Sequence, residues 1–336
     1  ASFTILAKGD FPAELNIPIP FSLVSNDVTN DRLLVMPGYW FMYNMYALAR
    51  NAWKYNDRDK RTEKKQLIEH DFLAPDTINE IISSLTLFEK LTGEAYIRKN
   101  EGDISKASII GKRLLIKNDP SLNDLEITSV EFENTNRTAK LLKVPSCYLL
   151  FKGLVNYYAA TILVSFMLDN KIKSIKDLEK KISLKLVLSE WKNIGGQLLR
   201  TTEIDKLRKH IQSGKLKNWE DVHEVYAINA ENYAKEKLQH AIAAVKKVNG
   251  IKIDSSNADG IRNLLKQSIA TKKWLVDNIY SSREKDYTNP FRIMAFENEQ
   301  EMNKVVGNLA DNPFILQERE GLEKYKKNVT KILKIL

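Results

Sequence analysis

The sequence predicts a mainly α-helical fold: an irregular multi-helix domain with a short N-terminal β or extended segment and one small β-hairpin. Three observations predict this class. Apolar residues recur at helical spacing over most of the 336 residues. Patterns typical of strands are confined to residues 1–35 and 125–144. A hydrophobic content of 43% is enough for a packed core.

The N-terminal segment, residues 1–35, is predicted to be extended. Pro12, Pro18 and Pro20 lack a backbone N–H and keep the residues before them extended. Ala1–Leu6 already has a strand-like pattern, and no basic-then-apolar signal segment precedes it. We therefore expect further protein upstream.

Helical patterns follow this segment. Pro37 suits the first turn of a helix that continues to about residue 57. A second helix is predicted over residues 61–72. Thr77 and Glu80 have the spacing of a capping box at the start of a third.

The second half of the chain is predicted to be helical after a hairpin at residues 125–144. The apolar run from Cys147 to Leu168 is long enough to raise a membrane span. Lys152 within it would cost about 2.5–3.5 kcal/mol at the bilayer centre. We therefore predict a buried core helix and no membrane partner. Asn218 precedes another long helix, to about residue 248.

Cysteine content and charge restrict the function classes. The single cysteine, Cys147, excludes an internal disulfide framework and cysteine-based zinc sites, and its apolar surroundings predict a buried, inert thiol. The composition fits the reducing cytoplasm. A formal net charge of +9 favours anionic partners, although the lysines are scattered over helical surfaces.

The predicted helix from Pro37 carries polar residues on an otherwise apolar stripe. Asn44, Asn51 and Arg58 share one face at about 100° per residue. A buried amide without a partner costs about 1–3 kcal/mol. The amides therefore bind either neighbouring backbone, which we favour, or a ligand at a polar, aromatic-lined wall.

Arginines near two charged segments could hold an anion. The first segment, Asp57–Arg61, has the composition of a solvated turn with internal salt bridges, and the second, Ser282–Arg292, that of a polar loop tied down by its own charges. The planar guanidinium also suits phosphate or carboxylate. The candidate ligand-binding residues are Asn44, Arg50, Asn51, Arg58, Arg61, Arg283 and Arg292.

Catalytic candidates are weaker. Glu69, His70 and Asp71 place a histidine between carboxylates, which suits a general base. Neighbouring residues of a helix point in different directions, so the three would not form a ready-made relay. Gly195-Gly196-Gln197 matches the catalytic tripeptide of peptide-release factors, but we favour a helix ending at Gly195.

No metal or cofactor is predicted. Glu220 and His223 have the Glu-x-x-His spacing of di-metal bundles, which need a second copy. His240 is 17 residues further along, about 25 Å on a helix. The aromatic residues that recur every seven positions on this helix are predicted to be core: Trp219, Tyr226 and Tyr233. The sequence has no GxGxxG, Walker or GxSxG motif.

Several stretches together resemble an uncharacterised bacterial family of Bacteroidetes type. They are ASFTILAKGDFPAELNIPIPFSLV, MPGYWFMYNMYALARNAWKY, the following DRDKR, FLAPDT, WKNIGGQL and SREKDYTNPFR. In that family a left-handed β-helix, like those of hexapeptide-repeat acyltransferases and sugar-nucleotide enzymes, precedes a helical region. The resemblance implies that residues 1–35 are the remnant of this upstream β-helix domain. Residues 36–144 and 145–336 would then be two helical lobes.

The resemblance and the arginines lead to one functional hypothesis and two alternatives. The first is an accessory domain that shapes a ligand site, or mediates homo-oligomerisation, in a cytoplasmic protein like a sugar-nucleotide or acyl transferase. Its ligand would be a phosphosugar or nucleotide. The alternatives are a basic nucleic-acid-binding module and a self-contained enzyme of unknown reaction.

Overall fold

The computed structural model describes residues 1–181, 186 and 188–336. Over these residues the fold is mainly α, as predicted. The strands are β1 (Ile5–Leu6), β2 (Leu23–Asp27), β3 (Arg32–Met36), β4 (Thr128–Ser129), β5 (Ala139–Leu141), β6 (Trp191–Ile194) and β7 (Gln197–Arg200). The helices are α1 (Tyr39–Tyr43), α2 (Met45–Arg58), α3 (Pro75–Asn100), α4 (Ala107–Lys117), α5 (Val144–Asp169), α6 (Ile175–Lys181), α7 (Thr201–Gln212), α8 (Trp219–Asn249), α9 (Ala258–Thr288), α10 (Pro290–Ile293), α11 (Glu299–Val306) and α12 (Pro313–Leu333).

The chain divides into two compact units. Unit 1 comprises residues 1–43 and 77–154, and unit 2 comprises residues 44–76 and 155–336. These boundaries differ from those predicted after residues 35 and 144. The helices α3 and α5 each run from one unit into the other, so a change of unit is not marked by the end of a helix.

Unit 1 contains a five-stranded sheet in the order β1-β2-β3-β5-β4. β2 and β3 are antiparallel, with Val24 opposite Val35, and both side chains are buried. The extended N-terminal segment supplies three strands, and the predicted hairpin supplies the other two as the antiparallel pair β4–β5. Alternate residues of β3, Leu33 and Val35, are buried, so one face of the sheet belongs to the core of unit 1.

Helices α3 and α4 of unit 1 cross in backbone contact. A Cβ on Gly93 would lie 1.8 Å from the carbonyl oxygen of Ala107, and one on Gly111 would lie 1.9 Å from that of Glu89. No side chain fits at either position, so glycine sets the distance between these two helices.

Helix α5 is, within the described chain, long and apolar enough to cross a membrane by length and composition. Its residues at helical spacing, including Cys147, Phe151 and Tyr158, are buried. A core helix passes the same test, and this buried stripe is typical of one. Burial raises the pKa of the Cys147 thiol, in agreement with the predicted inert thiol.

The single helix predicted from Pro37 is divided into α1 and α2 at Asn44. Asn44 leaves the helical conformation (φ −140°, ψ 37°) and makes no side-chain capping hydrogen bond. Asn44 therefore does not share a continuous stripe with Asn51 and Arg58. Both of those residues are exposed, so the premise of a buried amide at Asn51 was wrong.

The helix predicted over residues 61–72 does not form. Residues 59–73, which we call the strap, have no regular secondary structure. The backbone N–H of Leu67 donates to the side-chain oxygen of Gln197 (3.3 Å), and that of Glu69 donates to the carbonyl oxygen of Gly196 (2.9 Å). These bonds to a neighbouring hairpin satisfy backbone donors that a helix would satisfy internally.

Two further expectations about helix ends were wrong. Gly195 and Gly196 form the two-residue turn of the β6–β7 hairpin, with φ values of 62° and 102°, instead of a helix end. The expected loop Ser282–Arg292 is helical as far as Thr288. The start of α8 was predicted correctly, and Asn218 and Asp221 form a reciprocal capping box there.

Candidate functional site

Unit 2 contains a buried ionic centre where the strap meets α8. Oε2 of Glu69 accepts hydrogen bonds from Nζ of Lys237 (2.6 Å) and from the hydroxyl of Tyr233. The side chains of Glu69 and Lys237 are only 8% and 10% exposed. Burial raises the pKa of Glu69, but the charge and hydrogen bonds of its partners outweigh burial and hold that pKa below its ordinary value.

The sequence of α8 places these groups on one face. Tyr233, Lys237 and His240 have i, i+4, i+7 spacing, so they project in the same direction along a helix. Glu69 reaches this face because the strap is tied to the β6–β7 turn directly beside it, through its own backbone N–H. The centre therefore depends on three separate segments of unit 2.

His240 extends the centre into the core. It is fully buried, and its Nδ1 lies 3.3 Å from the hydroxyl of Tyr158 on α5. Burial, followed by the charge of Lys237, lowers the pKa of His240 to about 3, so the imidazole is neutral near pH 7. Trp191 packs edge-on against Tyr233 with ring centroids 5.7 Å apart.

The three predicted catalytic residues do not form one site. Glu69 is engaged in the ionic centre, and the ring of His70 stacks on Tyr55 with centroids 4.8 Å apart. Asp71 lies 3.6 Å from Nζ of Lys237, has a side chain that is 61% exposed, and borders a different cavity from His70. Glu69 and Asp71 therefore both lie near Lys237, and the side chain of His70 points away from them toward Tyr55.

Three of the predicted ligand-binding residues do come together, in an open depression of about 560 Å³. We call this the basic depression. Its lining residues are Asn51, Lys54, Tyr55, Arg58, Asp59, Arg61, Ile68, Gly195 and Gly196.

The charges of the basic depression are only partly balanced. Arg61 donates to Asp59 (2.7 Å) and to the hydroxyl of Tyr55 (2.9 Å), and this contact with Arg61 holds the pKa of Asp59 well below its ordinary value. Lys54 and Arg58 have no ion-pair partner among the described residues. The depression therefore carries two cations that are free to meet an external anion.

A groove of about 720 Å³ continues from the basic depression and shares Tyr55, Asp59 and Arg61 with it. The strap forms one wall, with Lys64 and His70, and the first turns of α8 form another. The strap wall therefore carries cationic side chains beside an aromatic pair, and the α8 wall carries the carboxylates of Glu220, Glu224 and Glu231.

The remaining predicted ligand-binding residues lie elsewhere in unit 2. Arg50 lies over the ring of Tyr46 at 5.7 Å, and Arg283 lies over the same ring at 5.2 Å. Arg283 and Arg292 both bind the carboxylate of Asp286. Arg283 and Arg292 are held by the protein's own groups, which was the favoured alternative for the segment Ser282–Arg292. Asn44 does not line the basic depression.

Sequence reasoning missed Lys237, and it considered Tyr233 only as a core residue and His240 only as a metal ligand too distant from His223. The signal that could have identified Lys237 was its position between Tyr233 and His240, on the buried face of a long helix. A buried cation requires a partner of opposite charge. Trp219 was predicted to be core but is 71% exposed, whereas Tyr226 is buried as predicted. Across the described residues no three His, Cys, Asp or Glu side chains are grouped so as to hold a metal ion.

Comparison with known proteins adds relatives but no activity. Residues 176–336 match a family described as a domain of unknown function (DUF6819). An uncharacterized protein of Treponema pallidum (strain Nichols) is 31% identical over 315 residues, which cover 94% of this chain and 42% of the relative. The chain therefore spans less than half the length of that relative. No solved structure matches the chain.

Proposed function

We propose that unit 2 binds an anionic small molecule, a phosphosugar or nucleotide, in the basic depression. The observation that carries this proposal is the position of Arg58, Arg61 and Asn51 around one concave surface. Arg61 is already oriented by Asp59, whereas Lys54 and Arg58 have no internal counter-charge in the described part of unit 2. Guanidinium groups bind phosphate through paired N–H donors, and a side-chain amide adds a polar contact.

The aromatic surface beside the cations favours a ligand that is more than a bare anion. Tyr55 borders both the basic depression and the groove, and its ring stacks on His70. A phosphate held at Arg58 would leave the rest of the ligand free to extend along this ring.

We further propose that this binding unit is an accessory domain of a larger cytoplasmic protein. The resemblance to a family with an upstream β-helix supports a role in shaping a ligand site, or in oligomerisation, of a sugar-nucleotide or acyl transferase-like protein. The matched region makes up only 42% of the Treponema relative, which also supports placing the chain within a larger protein.

The proposal is tested by titrating the full chain with glucose 6-phosphate, with uridine monophosphate and with glucose. Calorimetry measures binding, and thermal unfolding measures the change in Tm. We expect the two phosphorylated probes to bind and to raise Tm, and glucose to do neither. Arg58→Ala should weaken binding about tenfold or more, because it removes a charge-assisted contact worth about 1.5–3 kcal/mol.

The matched control is Arg208→Ala, which removes an exposed arginine of α7 that does not line the basic depression. It should bind both probes like the unaltered chain. The proposal is overturned if neither phosphorylated probe binds, or if Arg58→Ala and Arg208→Ala have the same effect. A sugar phosphate that is consumed during the titration would instead favour the enzyme alternative.

A further inference from the structure

Unit 2 has a second cavity, of about 300 Å³, that does not border the basic depression. Side chains from α2, α5, α9 and α12 line it, together with the last residues of the strap. Its inner wall is apolar and buried, and includes Met45, Ala49, Leu275 and Ile279. Such a space is large enough for a small organic molecule. We call it the inner cavity.

The rim of the inner cavity is polar. Asp71 is exposed at one side, and Lys272 and Glu318 form an ion pair of 2.8 Å with side chains 19% and 24% exposed. The aromatic side chains of Trp53, Tyr157 and Tyr158 also line the cavity. The cavity therefore combines an apolar interior, aromatic rings and a charged entrance.

The charges at this entrance favour a cation. Lys272 is neutralised by Glu318, and Lys237 is neutralised by Glu69, which it contacts at 2.6 Å. Asp71 lies 3.6 Å from Lys237, so it adds a second carboxylate to a lysine that is already paired. Together, these two lysines and three carboxylates carry one more negative than positive charge. This excess would repel an anion that enters the cavity.

We propose that the inner cavity binds a small organic amine with an apolar body. The ammonium group would lie at the rim beside Asp71, and the apolar body would pack against Met45, Ala49 and Ile279. Tyrosine and tryptophan rings attract cations through their negative faces, which adds to the attraction of the carboxylate. This ligand differs in charge and location from the anion of the basic depression, so the two proposals are independent.

The test uses calorimetric titration of the full chain with benzylamine, with the neutral analogue benzyl alcohol and with benzoate. The amine should bind at least about fivefold more tightly than the alcohol, because only the amine gains the ion pair and the cation–π contact. Benzoate should not bind. Asp71→Asn should remove the preference for the amine while leaving the alcohol unaffected.

Two controls make the result specific. Asp57→Asn removes an exposed carboxylate of α2 outside the cavity lining and should leave the affinity for benzylamine unchanged. Ala49→Leu places a larger side chain in the cavity and should abolish binding of both probes. Ala52→Leu, at a less buried lining position, replaces it if circular dichroism shows that the first variant does not fold.

The proposal is overturned if benzylamine does not bind, if amine and alcohol bind equally, or if Asp71→Asn keeps the preference. Arg58→Ala separates this result from the proposed function, since it should weaken binding of glucose 6-phosphate and leave benzylamine binding intact.

Discussion

His240 is neutral near pH 7 because its side chain is buried in the core, which lowers its pKa. Its side chain is fully buried, with Tyr158 and Trp191 beside it. The cation of Lys237 on the same face further disfavours protonation. The residue therefore acts as a neutral hydrogen-bonding group of the core. It lowers the free energy of unfolding only in acid, where the unfolded chain gains a proton that the folded chain does not bind.

We predict that His240 makes the protein sensitive to mild acid. The unfolded histidine has a pKa of 6.5 and the folded one a pKa of about 3, so only the unfolded chain gains a proton between these values. The stability is complete above about pH 6.5 and is lost as the pH falls toward about 3. Between about pH 7 and pH 5.5, the unaltered chain should lose about 1 kcal/mol more unfolding free energy than His240→Gln.

Urea unfolding of both proteins at the two pH values measures this difference. The substitution itself lowers stability, so only the change with pH is compared between the proteins. An identical pH dependence of the two unfolding free energies would contradict the assignment of a neutral, buried imidazole.

Single residues also show what the sequence could predict. Apolar periodicity identified Cys147 and Tyr226 as buried, because burial of apolar surface dominates at such positions. It failed for Trp219, which lies in the first turn of α8 beyond the packed part of the helix. It also failed for Asn51, which is exposed although Leu48 on the same predicted stripe of α2 is buried.

At the scale of elements, the strap carries much of the candidate site. It borders the basic depression, supplies Glu69 to the ionic centre and lines the inner cavity from Asp71 to its end at Leu73. Its fold could not be predicted locally, because its backbone hydrogen bonds go to the β6–β7 hairpin about 130 residues further along the chain. The Gly195–Gly196 turn, in contrast, is local, because only these two residues separate β6 from β7. A Gly-Gly pair between two short runs is itself a hairpin signal, which our prediction of a helix end overlooked.

We predict that Glu69 anchors the strap. Glu69→Gln leaves Lys237 buried without its main counter-charge, which costs about 3–5 kcal/mol when one partner of a buried pair is removed. The strap should then detach more often, which frees the backbone around its exposed trypsin sites, Lys60, Arg61 and Lys64, to enter the protease. Limited trypsin digestion with mass spectrometry should show faster cleavage at these sites than in the unaltered chain.

The control is Glu224→Gln, which changes an exposed carboxylate on the α8 wall of the groove. It should be cleaved at the unaltered rate. The double variant Glu69→Gln/Lys237→Met should recover part of the protection, because it leaves no unpaired buried charge. Equal cleavage of Glu69→Gln and Glu224→Gln would show that the ionic centre does not hold the strap.

For the whole molecule, composition predicted the fold class but could not locate the units. A hydrophobic content of 43% and helical periodicity were sufficient for a mainly α fold. The two units, however, are each assembled from separate stretches of chain, and residues 44–76 belong with residues 155–336. Such long-range assembly depends on packing of α2 and the strap against helices of the second half, which no local pattern specifies.

The net charge of +9 raises a final prediction, on how the whole chain responds to salt. Many of its cations are already paired in both units, as in Arg137–Glu133 and Lys272–Glu318. We therefore expect duplex DNA to bind only weakly and nonspecifically, through scattered phosphate contacts whose affinity falls about 10³-fold between about 50 and 200 mM salt.

Glucose 6-phosphate, which contacts few cations at one site, should lose much less affinity over the same range. Arg58→Ala separates the two binding modes further. It should abolish most of the sugar phosphate binding, but it should change DNA binding by less than about twofold, because Arg58 is one of many cations that contact DNA. Fluorescence anisotropy with labelled DNA and calorimetry with the sugar phosphate provide the two measurements. DNA binding that resists salt and is lost in Arg58→Ala would instead make the basic depression a nucleic-acid interface.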